Sequence, residues 1–414
     1  MPGMSSAGAK FHIGSGQNFK AVTRTEKLLA ELIALPSVNP AFVSHDTAGP
    51  RDPAASDDQQ VVPTDKCFGE KKVADFLAAI AARAGLEVEV QTVLPGRPNV
   101  IARLRPRNRA RQTILLAPHL DTVPAADSQF VPRRSNGRLY GRGACDTKGS
   151  VAAMLAALFE LVQSGSRPLE TEIIFAGLVD EEHAQAGARA LVAKQFKADL
   201  AIVGEPTRLR VVTAHKGSLW LQLETRGRAA HGATPHLGRN AVQEMARVVD
   251  LLETDYAARL QKRKHRLLGP ATVNVGTIQG GSQPNIVPDR CAITIDRRTL
   301  PGETEAAVSR EIAALLRANK LSARISSMKL APARPLETDP ALPLVRQFLR
   351  SNGQTRPLGV DFFCDAAVLA QGGIPSVVFG PGDIAQAHTG DEWISLKSLE
   401  CGKDRLLRFL KSLP

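Results

Sequence analysis

TEIIFAGLVDEEHAQAGARALVAKQFKADLAIVGE, residues 171–205, decides the fold. Residues 172–179 form an apolar, β-branched run with almost no polar alternation, which predicts a strand buried on both faces. A helix fits 186–194, and a second apolar run predicts a strand over 199–203. A helix between two solidly apolar strands predicts parallel pairing under a crossover. Each strand ends on acid: Glu181 and Glu182 follow the first, and Glu205 follows the second.

The same pattern extends in both directions. Upstream, strands are expected over 86–92, 99–104 and 113–117, and helices over 22–34, 70–84 and 148–163. Residues 37–64, rich in Pro, Asp and Ala, are expected to form a long loop. After about residue 209 the character changes. Strands over 211–225, 272–279 and 291–297 alternate polar and apolar, as in an antiparallel sheet with one wet face. Helices fit 239–252 and 303–319. The first pattern then returns, with a helix over 343–351, a buried strand over 376–379 and a closing helix over 396–413. The expected fold is α/β, a mostly parallel mixed sheet with flanking helices carrying an inserted α+β domain. Its parts are 20–210, the insert 211–329, and 330–414.

Bulk properties narrow the function. The 414 residues suit two domains. No apolar run approaches the roughly 18 residues of a membrane span, and the N-terminal stretch MPGMSSAGAKFHIGSGQNFK lacks the apolar core of a secretory signal. The five cysteines are widely spaced and odd in number, which predicts reduced thiols, a cytoplasmic setting and no CxxC zinc site. The net charge of +12 comes from scattered Lys and Arg, with only two Trp and two Tyr. That speaks against a nucleic-acid surface and for mild attraction of anionic substrates.

The polar residues with chemistry to offer follow the ends of the buried runs. His119 and Asp121 come after TILLAP, and Asp146 closes the Gly-rich GRGACD. His388 lies in the loop after SVVFG. In open α/β sheets, sites form outside the carboxyl ends of the strands. Two His and several carboxylates suit zinc, or cobalt or manganese, and not calcium. One bridging carboxylate, with one His and one carboxylate per ion, would make a two-metal site that activates a shared water and polarises a carbonyl. A neighbouring free Glu could move the proton.

These segments resemble a known family: the metallopeptidases that include acetylornithine deacetylase, succinyl-diaminopimelate desuccinylase, aminoacylase and bacterial glutamate carboxypeptidase. The resemblance is carried by APHLDTVP (117–124), LYGRGACDTKGSVAAM (139–154), VDEEHAQAGARAL (179–191), VGEPT (203–207) and HKG (215–217). It continues through GRAAHGATPHLGRNAV (227–242), GGSQPNIVPDRCAITIDRR (280–298), GIPSVVFGPG (373–382) and AHTGDEW (387–393). It implies a zinc-peptidase type catalytic domain with a ferredoxin-like lid that also forms a homodimer contact. It implies that His119 and Glu205 hold one metal, that Glu182 and His388 hold the other, and that Asp146 bridges. Asp121 would orient His119, and Glu181 would be the general base. In the lid, His231 would stabilise the oxyanion, in some members from the partner subunit, while Asn285 and Arg297 would touch substrate. The resemblance also implies a cis peptide after Asp146.

The implied activity is dinuclear metal-dependent hydrolysis of the amide bond of N-acyl amino acids, as in the deacetylase and the desuccinylase. A metallo-carboxypeptidase or dipeptidase of the same family is the alternative. A catalytically idle binding protein would need a broken ligand set, and every ligand position is filled. The chain departs from the family's usual pattern at Thr147, where Met is common, and at Cys364, where Thr is common before Asp-Ala.

Overall fold

The structure, a computed structural model, describes residues 22–42, 68–329 and 331–414. The N-terminal stretch, most of the expected 37–64 loop and Cys67 lie outside the described residues.

The chain begins with α1 (Arg24–Ile33) and α2 (Lys71–Arg83), then β1 (Glu87–Leu94), β2 (Arg97–Leu104) and β3 (Gln112–Pro118). A small hairpin, β4 (Arg133–Ser135) and β5 (Arg138–Tyr140), leads into α3 (Lys148–Gln163). Next come β6 (Thr171–Gly177), α4 (Ala186–Ala193), β7 (Leu200–Gly204) and β8 (Val212–His215). These strands join a nine-stranded sheet whose middle, β2-β6-β3-β7, is extended by three late strands, β15 (Leu336–Glu337), β16 (Leu358–Val360) and β17 (Ser376–Val378). β3 pairs parallel with both β6 and β7, so the quoted segment is the crossover its apolar runs predict.

Both faces of that sheet are covered. Along β3, Ile114 and Leu116 point into one core and Leu115 and Ala117 into the other. β6 and β7 split the same way, with Phe175 and Ile202 on the first side and Ala176 and Val203 on the second. The first side is closed by α1 and α3, where Leu29, Leu32, Met154 and Leu158 are buried. The second is closed in part by Ala188 and Leu191 of α4. Burial on both faces explains why these strands show no alternation in sequence.

A second sheet follows. It comprises β9 (Gly217–Arg226), then, after α5 (Ala241–Leu251), α6 (Ala257–Gln261) and a minor hairpin of β10 (Lys264–His265) and β11 (Gly269–Pro270), β12 (Thr272–Gly280) and β13 (Arg290–Thr299). After α7 (Glu305–Ala318), β14 (Arg324–Ser327) completes the order β12-β13-β9-β14. One face packs Leu219, Leu221, Leu223, Ile293 and Ile295 against Met245, Val248 and Ile312 of the helices. Asn240 and Thr304 accept hydrogen bonds from Gln243 N and Ala307 N, capping α5 and α7.

The chain then returns through β15 (Leu336–Glu337), α8 (Pro343–Ser351), β16 (Leu358–Val360), α9 (Ala366–Gln371), β17 (Ser376–Val378), β18 (Trp393–Ser395) and α10 (Leu396–Lys411). β17 pairs parallel with β7, while β18 pairs with β5 across the mouth of the sheet. Phe348 anchors α8 by edge contacts to Phe379 at 5.2 Å and Phe409 at 4.8 Å.

One expected strand is two. Residues 211–225 divide into β8, in the large sheet, and β9, in the second sheet, so the chain changes sheet at Lys216 rather than at 211. No described helix is long and apolar enough to cross a membrane. Cys145, Cys291, Cys364 and Cys401 are free.

Candidate metal centre

β3, β6, β7 and β17 all point their carboxyl ends the same way, and the loops leaving them bring the expected residues together. His119 follows β3 and is fixed by a bridge to Leu178 at the end of β6. Its Nδ1 lies 3.0 Å from the Asp121 carbonyl oxygen and 3.4 Å from Asp121 Oδ1. An Nδ1–H donating there turns the Nε2 lone pair toward the cleft.

Asp146 stands at the centre. Its Oδ1 is 3.1 Å from His119 Nε2, and its Oδ2 is 3.3 Å from His388 Nε2. Glu205 Oε1 lies 3.9 Å from His119 Nε2, and Glu182 Oε1 lies 3.1 Å from His388 Nε2. Two triads result, His119–Asp146–Glu205 and Asp146–Glu182–His388, each with ligand atoms within 4.8 Å of one another. The triads share Asp146 but use opposite oxygens of it. His, carboxylate and carboxylate is a donor set that suits zinc, cobalt or manganese, so the residues present fit a pair of such ions.

The charges fit as well. Burial opposes ionisation of Asp146, but His119 and His388 outweigh it and hold the carboxyl below the usual range. Asp146 and Glu182 raise the His388 imidazole to about 10. Burial pushes the carboxyls of Glu205 and Glu181 well up, against the pull of His119. A cluster this acidic and this dry favours a cation. Glu181 is buried, whereas the His388 side chain is 53% exposed, so the cleft opens on the His388 side.

The surroundings hold the loops rigidly. Asp121 accepts from the backbone N–H of Glu181 at 3.0 Å and of Glu182 at 3.1 Å, so it positions both acids as well as His119. Asn39 Nδ2 donates to Asp121 at 2.8 Å and to Asp180 at 3.0 Å. Arg97 then joins Glu70, by two contacts of 2.6 Å, to Asp180 at 2.9 Å.

Glu392 does the same for Asp146. It accepts from the N–H groups of Gly143, Cys145 and Asp146 at 2.8–2.9 Å and pairs with Arg142 at 2.7 Å. Thr147 Oγ1 donates to the Gly204 carbonyl at 2.7 Å, tying this loop to the residue before Glu205. The Asp146–Thr147 peptide is cis. Cys364 is buried, and its neighbour Asp365, with neither carboxylate oxygen hydrogen-bonded among the described residues, is pushed by burial up to about 7.

Sequence reasoning missed Glu392, Asn39, Glu70 and Arg97. The only available signal was that Glu392 sits in the same short motif as His388.

The expected lid residues behave differently. His231 and Asn285 lie side by side and exposed, joined by the Gly232 N–H to the Asn285 carbonyl at 2.7 Å and by a bridge from His231 to Ile286. Among the described residues, no hydrogen bond or ion pair joins either to the metal-site residues. Arg297 requires a correction. It is fully buried on the helix side of the second sheet, where its guanidinium binds Tyr256 OH, Glu303 and the Arg298 carbonyl. The pleat sends its neighbour Arg298 to the opposite face, toward the loop at Asp361 of the large layer.

The description "Peptidase family M20/M25/M40" belongs to a family profile that matches residues 115–412. An acetylornithine deacetylase from Myxococcus xanthus is 32% identical over 340 residues, covering 78% of this chain and 87% of the relative. An M20 family metallo-carboxypeptidase from Sulfolobus solfataricus superposes with a TM-score of 0.70 at 20% identity, covering 94% of this chain and 99% of that one. A Bacillus subtilis protein described as a dinuclear metal binding peptidase superposes at 0.66 with 14% identity, covering 94% and 97%.

Proposed function

This chain belongs to peptidase family M20/M25/M40, and from that premise we propose that it is a two-metal amidohydrolase that releases the acyl group of N-acyl amino acids. The observation that supports this most is Asp146, whose two oxygens face two different histidines. His119 and Glu205 would hold one ion and Glu182 and His388 the other, with Asp146 between them; zinc suits the donor set. When bound, two such ions supply a nucleophile from water at neutral pH and polarise the scissile carbonyl.

The chain's own residues do the rest. Glu181 belongs to neither triad and is buried. There it would take a proton from the attacking water and hand it to the departing nitrogen. Asp121 fixes Glu181 through the backbone, so the base cannot drift out of reach.

The second sheet and its helices act as the lid. His231 would reach the oxyanion only when the lid closes or when a second copy supplies it, since in one chain it is exposed. A homodimer formed through β12, one of the two edge strands of that sheet, would suit the latter. Arg298, in place of Arg297, would meet the substrate's α-carboxylate.

Glu181→Gln tests the reading. It keeps the metals and removes the proton carrier, so kcat on an N-acyl amino acid should fall by roughly 10²–10⁴-fold with metal content unchanged. Near-full kcat would rule Glu181 out as the base. Cleavage of C-terminal glutamate peptides in preference to N-acyl amino acids would instead make the enzyme a carboxypeptidase.

A further inference from the structure

The face of the lid sheet opposite its helices carries a charge that the mechanism above does not use. Register places Trp220 opposite Asp296 and Ser218 opposite Arg298, so these four side chains share that face. Lys329, just after β14, lays its Nζ 4.0 Å from the centre of the Trp220 ring. The same ammonium is 5.7 Å from the ring of Phe363, which belongs to the large layer and sits two residues before Asp365. Arg298 lies 5.9 Å from that ring and donates to the Asp361 carbonyl at 3.5 Å. Two cations and two aromatic rings therefore line the seam between lid and catalytic layer.

The cations differ in how they are satisfied. Arg298 is paired with Asp296 at 2.9 Å, and Asp296 also accepts from Ser218. Lys329 has no carboxylate within ion-pairing distance among the described residues. Burial lowers its pKa; the Glu181 and Asp296 carboxylates oppose the shift and Arg298 adds to it. The 5.7 Å approach to the Phe363 ring, two residues before Asp365, places Lys329 on the side of the lid that meets the catalytic layer. A half-buried ammonium braced on a ring, without a counter-ion, gains most from an anion brought by a ligand.

We propose that Lys329, held by Trp220 and Phe363, is a specificity residue that reads a second carboxylate on the substrate, so that dicarboxylic N-acyl amino acids are preferred over those with a cationic side chain. This rests on the amidohydrolase reading. The second carboxylate can come from the acyl group or from the amino-acid side chain, and the substrates distinguish the two.

The metal-loaded full chain is assayed on N-succinylalanine, N-acetylglutamate, N-acetylalanine and N-acetylornithine. One of the first two should exceed N-acetylalanine by about ten-fold or more in kcat/KM, the scale of one charge-assisted hydrogen bond. Lys329→Met should remove that advantage through KM with kcat nearly unchanged, Lys329→Arg should restore much of it, and N-acetylalanine should be indifferent to both. A preference for N-acetylornithine, or an equal effect of Lys329→Met on mono- and dicarboxylic substrates, overturns the proposal. Binding is followed separately in a Trp393→Phe background, where Trp220 is the remaining tryptophan. Emission that shifts with N-succinylalanine or N-acetylglutamate, and is silent in Lys329→Met, supports the subsite even if no substrate is turned over, in which case the amidohydrolase reading alone fails. Emission unmoved by both ligands, together with no turnover, overturns the subsite.

Discussion

Glu392 shows how much of the site depends on residues that bind no substrate. It is buried, and burial pushes its carboxyl up against the pull of Arg142. Its oxygens gather three backbone N–H groups of the loop that presents Asp146, while its own loop carries His388. One carboxylate thereby sets the distance between two ligands of the same proposed ion. Glu392→Gln would leave the Arg142 guanidinium buried beside a neutral amide. Zinc affinity, measured by chelator competition, should weaken by roughly 10–100-fold, as when other groups that orient ligands are lost. Unchanged affinity would mean that the loop holds its shape without the charge. The proposed ligands His119, Glu182 and Glu205 are legible in the sequence because each lies just beyond a buried strand, whereas Asp146 and His388 sit in loops and stand out only through the GRGACD and AHTGDEW segments. Glu392 is not legible, because its partners are backbone amides 246–249 residues earlier in the chain. Arg297 was misread for a related reason. In the doublet Arg297-Arg298 only strand parity distinguishes the buried residue from the open one, and the buried ion pair with Glu303 leaves no periodic trace.

The elements divide along the same line. β3, β6, β7 and α3 were legible because solid burial writes a long apolar run. β4, β5 and β18 are three residues each, too short to write a pattern; β4 and β5 form a local hairpin, and β18 joins it only from the far end of the chain. α9 spans six residues, too few for a helical period to show. The expected strand over 211–225 spans the β8–β9 junction because both flanks are apolar, although His215-Lys216-Gly217-Ser218 interrupts them with polar residues and a glycine. At that junction His215, the last residue of β8, is fully buried, with Nδ1 bonded to the Lys216 carbonyl at 2.8 Å and Nε2 without a partner among the described residues. Burial lowers its pKa to about 4. Between about pH 6.5 and pH 4 the unfolded chain binds this proton and the folded chain does not, so His215 makes stability fall as pH drops through that window. The contribution is roughly 3 kcal/mol at most. Urea unfolding at pH 7 and pH 4.5 should show a smaller loss for His215→Leu than for the parent. Equal losses would mean that the junction opens and hydrates the ring.

At the scale of the whole molecule, the large layer supplies the cleft and the second sheet supplies the wall proposed to close over it. The cleft gathers its acids from four segments, 119–121, 146, 181–182 and 205, and closes with His388 from the returning chain. The wall brings the cations Arg298 and Lys329. The excess positive charge of the chain, +12, would mildly attract anionic substrates to the chain as a whole. Everything in this account depends on Asp146 serving two ions at once. The most direct measurement is the metal content per chain, by elemental analysis after zinc loading and gel filtration, of the parent, His119→Ala, His388→Ala and Asp146→Ala. Two ions are expected for the parent, one for each histidine variant and close to none for Asp146→Ala. One ion in the parent, or an Asp146→Ala variant that keeps both, would contradict it.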